Sequence, residues 1–194
     1  MTSTSIGPLP EHVAQGGYQV RLEWGASGLA RLEPADVVVA VDVLGSLDDD
    51  LATALDREIA RGADVLLGGL TNAAAVATAC LAIQHERGRR TSIAVIAAGE
   101  EGRVTVEDQL GVGAVIAALA ERGTDHSSPE AAVACEAFVG LRRAVVHLVS
   151  ASGSGRELAA RGRGDEVAAA ARLDAVDQVV RWGAVEAPVG GAGA

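Results

Sequence analysis

The segment Asp36-Val-Val-Val-Ala-Val-Asp-Val-Leu44 is an almost unbroken β-branched run. Branching at Cβ favours extended backbone, and without polar alternation both faces of the strand must be covered. A strand of that kind belongs in the middle of a parallel sheet with helices on either side. The expected fold is therefore α/β: a three-layer α/β/α arrangement around a mostly parallel central sheet. Ala63 to Leu67 and Thr91-Ser-Ile-Ala-Val-Ile-Ala-Ala98 read as two further apolar strands. Aromatic residues are only 2% of the chain while hydrophobic residues are 49%, so the core must be built from Val, Leu, Ile and Ala. A length of 194 residues suits one such domain. The reading is a flexible arm over 1–15, a single α/β domain over 16–187 and a flexible tail over 188–194.

Between the strands the period changes. Leu47, Leu51, Leu55 and Ile59 recur every four residues on one helix face, with Ser46 and Asp49 spaced as a capping box and Gly62 as a stop. Asn72 is placed to cap a helix reaching about Arg87, whose slim face is Ala73, Val76, Ala77, Cys80 and Ile83. Thr105 and Asp108 open the next helix, lined by Leu110, Ile116 and Leu119, and Ser128-Pro129 opens another. Leu141 to Val149 reads as helix, and Ser154-Gly-Arg-Glu157 has capping-box spacing before a short helix ended by Arg161-Gly-Arg-Gly164. Asp165 is placed to cap a last helix running to about Arg172. Tyr18 to Trp24 alternates as a half-exposed strand would, with a turn at Gly25–Gly28 into a hairpin partner at Leu29 to Leu32, and Val179 to Val185 reads as an edge strand.

A formal net charge of −10 and only four aromatic rings argue against a nucleic-acid or membrane partner. Cys80 and Cys135 sit in Ala/Val-rich helical patterns and read as buried thiols. With no N-terminal basic-plus-apolar signal and no membrane-length apolar stretch, the expected location is the cytoplasm.

In a parallel α/β sheet, ligands sit beyond the C-terminal strand ends. Asp42 to Asp50, Gly68 to Asn72 and Gly99 to Asp108 all reach that edge. Two readings compete for Asp42: a structural acid satisfied by backbone amides, or a ligand for a hard cation such as Mg²⁺. Asp48-Asp49-Asp50 is explained by the positive end of a helix. Glu100 lies in a glycine-flanked loop with Glu101, and Glu107 and Asp108 lie in a first helical turn; Asp42 and Glu107 together could hold Mg²⁺ and gather a phosphate. Asn72, with the glycines before it, could line a phosphate pocket or merely cap its helix. Arg156 stands at a helix start, where its charge opposes the dipole and either an anion or an acidic loop would suit it. No histidine shows metal-ligand spacing, and no triad, phosphate-binding loop or dinucleotide fingerprint is present.

The order of Arg21-Leu-Glu-Trp-Gly25, Ala35-Asp-Val-Val-Val-Ala-Val-Asp-Val-Leu44, Thr71-Asn-Ala-Ala-Ala-Val-Ala77, Ala97-Ala-Gly-Glu100, Val106-Glu-Asp-Gln-Leu-Gly-Val-Gly-Ala114, Ser152-Gly-Ser-Gly-Arg-Glu-Leu158, Gly164-Asp-Glu-Val167 and Leu173-Asp-Ala-Val-Asp177 resembles the 2-phosphosulfolactate phosphatase (ComB-like) family. The resemblance implies an α/β/α phosphomonoesterase that uses Mg²⁺ to convert 2-phospho-3-sulfolactate and water to 3-sulfolactate and phosphate. It implies a small phosphorylated acid as substrate, Asp42 and Glu107 as catalytic residues, and Asp42, Glu107 and Asp108 as metal ligands. Asn72, Glu100 and Arg156 would bind substrate. The chain reads as a shortened, divergent member. Gly45-Ser-Leu-Asp48 stands where the family carries an arginine and small hydroxyl residues, and a long stretch expected between Gly62 and Ala63 is missing. Three readings follow: a phosphatase with reduced or altered activity, a non-catalytic relative acting as a binding subunit, or a homo-oligomer whose partner completes the site.

Overall fold

The computed structural model describes residues 11–100 and 102–183. Its sheet contains β1 (Val20–Trp24), β2 (Val37–Val41), β3 (Asp64–Gly68), β4 (Ile93–Ala97) and β5 (Val180–Arg181) in the spatial order β1-β4-β2-β3-β5. The first four are parallel; β5 runs antiparallel on β3, with Leu66 opposite Arg181 and Leu67 opposite Val180. Every residue of β2 and β4 is buried, as two-sided β-branched strands require.

Helices α2 (Gly25–Leu29) and α3 (Asp49–Ala60) cover one face, packing Leu29, Leu51, Ala54 and Leu55 on Val38, Ala40, Ala94 and Ile96. The other face carries α4 (Ala73–Glu86) and α5 (Val106–Ala120), over Val37, Val39, Val41, Leu66 and Val95. Helices α6 (Pro129–Leu141) and α7 (Val145–Ala151) add Ala131, Ala134, Phe138, Val145 and Val149 to that side. The chain closes with α8 (Gly153–Ala160) and α9 (Gly164–Ala170), and a short α1 (Glu11–Ala14) precedes β1. The three-layer expectation holds. Among the described residues no helix is long and apolar enough to cross a membrane.

α5 is buried on all sides rather than along one stripe, because glycines let its neighbours approach. A Cβ on Gly111 would lie 2.7 Å from Val43 and 2.8 Å from Val41, and one on Gly113 would lie 2.4 Å from the Ala134 carbonyl oxygen. The N-terminus of α5 is thereby drawn onto the end of β2.

Local expectations fail where a tertiary partner outcompetes a neighbour in sequence. The predicted hairpin after β1 is instead α2, and β1 is not half-exposed. Arg21 is buried, its guanidinium donating to the carbonyls of Tyr18, Glu33 and Gly16 at 2.9, 2.8 and 3.2 Å. The Gln15 amide side chain exchanges two hydrogen bonds with the Leu22 backbone, as a neighbouring strand would. Residues 1–10 and the tail 188–194 lie outside the described residues, as do 184 and 185 of the predicted last strand. Asp48, not Ser46, caps α3, accepting from the Leu51 amide at 2.7 Å. Ser152, not Ser154, caps α8.

Candidate functional site

Adjacent parallel strands β2 and β4 send their following helices to opposite faces: α3 to one, α5 to the other. The two connections must part, and the gap opens a crevice at the C-terminal edge of the sheet. A cavity of about 490 Å³ fills it. The β2 loop contributes Asp42, Leu44, Gly45 and Ser46, the β4 loop Gly99, Glu100 and Thr105, and the first turn of α5 Glu107 and Asp108. Ser154, Glu157, Leu158, Arg161 and Arg163 from α8 and the turn after it form the opposite wall.

Asp108 ties these loops together. Its Oδ1 accepts from the Val43 amide at 2.8 Å, and its Oδ2 accepts from the Gly99 amide at 3.0 Å and the Thr105 hydroxyl at 2.8 Å. Burial nevertheless pushes its carboxyl up to about 6, with the nearby Asp42 charge adding to the rise and the three donors opposing it. The Thr105 hydroxyl is spent on Asp108, so no side-chain hydrogen bond from this N-cap residue reaches the first turn of α5. Gly99 has φ +70, and a Cβ there would lie 2.5 Å from the Arg103 carbonyl oxygen, so the β4 turn requires glycine.

Asp42 is half-buried, and its Oδ1 accepts from the Gly45 amide at 2.5 Å. Burial raises its carboxyl above the usual range against the pull of the Gly45 and Leu44 amides, and the Glu107 charge raises it further. Glu107 is 3% exposed, with its Oε1 taking the Ser154 hydroxyl. The crevice therefore concentrates carboxylates that repel one another, while its arginines stand at the mouth. Arg161 is paired with Glu157 and Arg163 with Glu166.

Of the residues singled out from sequence, Asp42, Glu100, Glu107 and Asp108 line this one cavity, whereas Asn72 and Arg156 do not. Asn72 does not cap α4 by its side chain. Its amide donates to the Leu67 and Gln178 carbonyls, both at 3.2 Å, and Asp174 accepts from the Ala74 amide instead. Asn72 lines a separate cavity of about 210 Å³ that shares Asp42 with the first. Arg156 is exposed on α8. Ser154, Arg161 and Arg163 escaped notice in the sequence, where they read as a cap and a helix stop; two arginines in a glycine-spaced turn were the available signal. Among the described residues, no group of three or more His, Cys, Asp or Glu side chains is disposed to hold a metal ion.

A mostly parallel sheet with a crevice at its switch point defines an open-sheet α/β domain, in which ligands sit beyond the C-terminal ends of the strands. The chain belongs to the 2-phosphosulpholactate phosphatase family, whose model matches residues 50–184. Glu107, Asp108, Ser154, Arg161 and Arg163 fall inside the matched span, and Asp42 lies just before it. Among curated proteins there is no match.

Proposed function

We propose that this chain is a Mg²⁺-dependent phosphomonoester hydrolase acting on a small phosphorylated acid, of which 2-phospho-3-sulfolactate is the family's named example. The observation that carries the reading is the convergence of Asp42 and Glu107, from elements far apart in sequence, on one crevice where the Glu107 charge disfavours that of Asp42. Two carboxylates brought together in a crevice are costly unless a cation offsets their charge. Asp108 has both oxygens committed to the protein, which leaves two carboxylates rather than three for a metal. That donor set fits Mg²⁺, which is held by one or two protein carboxylates and keeps several waters for substrate oxygens to replace.

Bound there, the ion would supply charge for the phosphate oxygens and acidify a water. The chain's own groups account for the rest. First-turn amides of α5 favour an anion at the helix N-terminus. Asp42 accepts the proton of the attacking water as a P–O bond forms and the P–O bond to the alcohol breaks. The departing alcohol oxygen takes a proton from solvent. Arg161 and Arg163, swinging from surface pairs that hold them weakly, meet the acid group of the substrate. Glu100 stands at the rim beside them.

A second reading, a non-catalytic binding subunit, draws on those same pairs: both mouth arginines are already neutralised, and Gly45 offers no cation where the family carries one.

The two readings part on phosphate release from 2-phospho-3-sulfolactate and a panel of small phosphate esters, with Mg²⁺ titrated. Asp42→Asn should abolish Mg²⁺-dependent release while the melting temperature holds or rises, because the ionised carboxyl is disfavoured in the fold. Absence of release from the native chain across the panel overturns the hydrolase. A release that survives Asp42→Asn removes Asp42 from the chemistry.

A further inference from the structure

Residues 129–151 form one helical run, α6 and α7 joined only by the 3₁₀ turn Arg142–Ala144. Its inner side, with Ala131, Ala134, Phe138, Val145 and Val149, is buried in the core. The outer side carries an unpartnered row: Val133 (68% exposed), Glu136, Val139 (53%), Gly140, Arg143 and Val146 (56%). Single exposed valines are ordinary on a protein surface. This row is ordered in part: about the midpoint of Val139 and Gly140 its outer valines and its charges pair off, while the exposed Ala132 and His147 beside them do not match. Val133 mirrors Val146, Glu136 mirrors Arg143, and Val139 mirrors Gly140.

We propose that this face is a homodimer contact, in which two copies pack the α6–α7 run antiparallel about a two-fold axis at Val139–Gly140. A two-fold interface sets the same patch against itself, so each position must suit its mirror position. Here valine meets valine, and acid meets base twice. Gly140 has nothing within 4 Å of where a Cβ would be, leaving room for the partner's Val139. Neither Glu136 nor Arg143 takes part in any ion pair among the described residues. The adjacent Arg142 is already used within its own chain, 5.8 Å from the centre of the Phe138 ring and 3.9 Å from Glu121. One helix pair of this kind makes an interface at the small end of specific contacts. The dimer is therefore expected to depend on concentration. It does not depend on the phosphatase reading, since none of these residues lines the crevice.

Sedimentation velocity over a concentration series tests it, with circular-dichroism melts as a check that each variant folds. The native chain should pass from monomer to dimer as concentration rises. Glu136→Arg and Arg143→Glu should each weaken the dimer about tenfold or more, and the double variant, which exchanges the signs, should restore most of the loss. Val139→Asp should leave only monomer. A chain that stays monomeric throughout overturns the proposal. So does a dimer that tolerates Val139→Asp, or one in which the double variant is as weak as the singles.

Discussion

Gly45 shows how one residue sets the direction of a catalytic candidate. A Cβ at this position would stand 2.9 Å from both carboxylate oxygens of Asp42, closer than such contacts occur, so only glycine lets Asp42 fold back onto the Gly45 amide. The family's arginine at this place would need Asp42 to turn elsewhere. Gly45→Ala should therefore rotate the Asp42 carboxylate while the surrounding loop stays exposed. The expected result is a fall in turnover of about 10- to 100-fold, since an ångström of misplacement is costly in a reacting centre. Stability should move by no more than about 0.5 kcal/mol, as for other surface changes. Unchanged turnover in a phosphate-release assay would show that the Asp42 orientation seen here is not the working one. Asp108 differs from Asp42 in kind. With three donors across its two oxygens it is a brace between loops, and Asp108→Asn would set an amide NH₂ against one of them. That variant should lose about 1–3 kcal/mol in denaturant unfolding, whatever it does to turnover. A melt equal to the native one would remove Asp108 from its structural part.

At the scale of the element, α5 connects core packing to the site. Gly111 faces the methyls of Val41 and Val43, which can rotate, whereas Gly113 faces the Ala134 carbonyl oxygen and the Phe138 Cβ, which cannot. Gly113→Ala should thus cost about 2–3 kcal/mol. Gly111→Ala should cost less, because valine methyls can give way where a backbone carbonyl cannot. The order reverses for activity: Gly111 lies one turn from Glu107 and beneath the Asp42 loop, so its variant should lose more turnover than the Gly113 variant. If melts and turnover rank the two glycines alike, α5 is not what positions the carboxylates. The elements themselves were legible to within a few residues wherever an unbroken β-branched run or a four-residue apolar period dominated, as in β2, β4 and α3. Capping was not. Asp48, Asp174 and Ser152 took over from Ser46, Asn72 and Ser154 because caps are chosen by approach in space, and several polar residues competed at each start. Half of the crevice was open to the same reasoning, since Asp42, Glu100, Glu107 and Asp108 all follow parallel strands. The wall supplied by α8 and the arginines after it was not, because it reaches the crevice only through the packing of α7 and α8 beyond α5.

Across the whole molecule, charge is sorted between the two ends of the sheet. The C-terminal edge holds carboxylates facing an open cavity. The N-terminal edge holds acids fully matched by bases: Asp36 takes Arg87 at 3.0 Å, Arg89 at 2.5 Å and the Ser92 amide at 2.9 Å, and Asp64 takes Arg87 at 2.8 Å and Arg181 at 2.6 Å. In a chain of net charge −10, that matching marks the closed end as the one that holds the strands. The hydrogen bond from Arg89 does most to hold the Asp36 carboxyl down to about 2, with the Ser92 amide and the charges of Arg89 and Arg87 assisting against burial. A carboxyl whose folded value lies below its unfolded one binds fewer protons when folded. Its contribution is full above about pH 4 and is lost as the pH falls toward 2. Asp36→Asn should accordingly destabilise the fold by about 1–2 kcal/mol at pH 7, a figure reduced for the solvent that reaches these pairs. The gap between native and variant melts should close as the pH is lowered through that window, while Mg²⁺ leaves it unchanged, because the clamp and the crevice lie at opposite ends of the strands. A gap that stays constant from pH 7 to pH 2 would mean that the Asp36 charge does not hold this edge together.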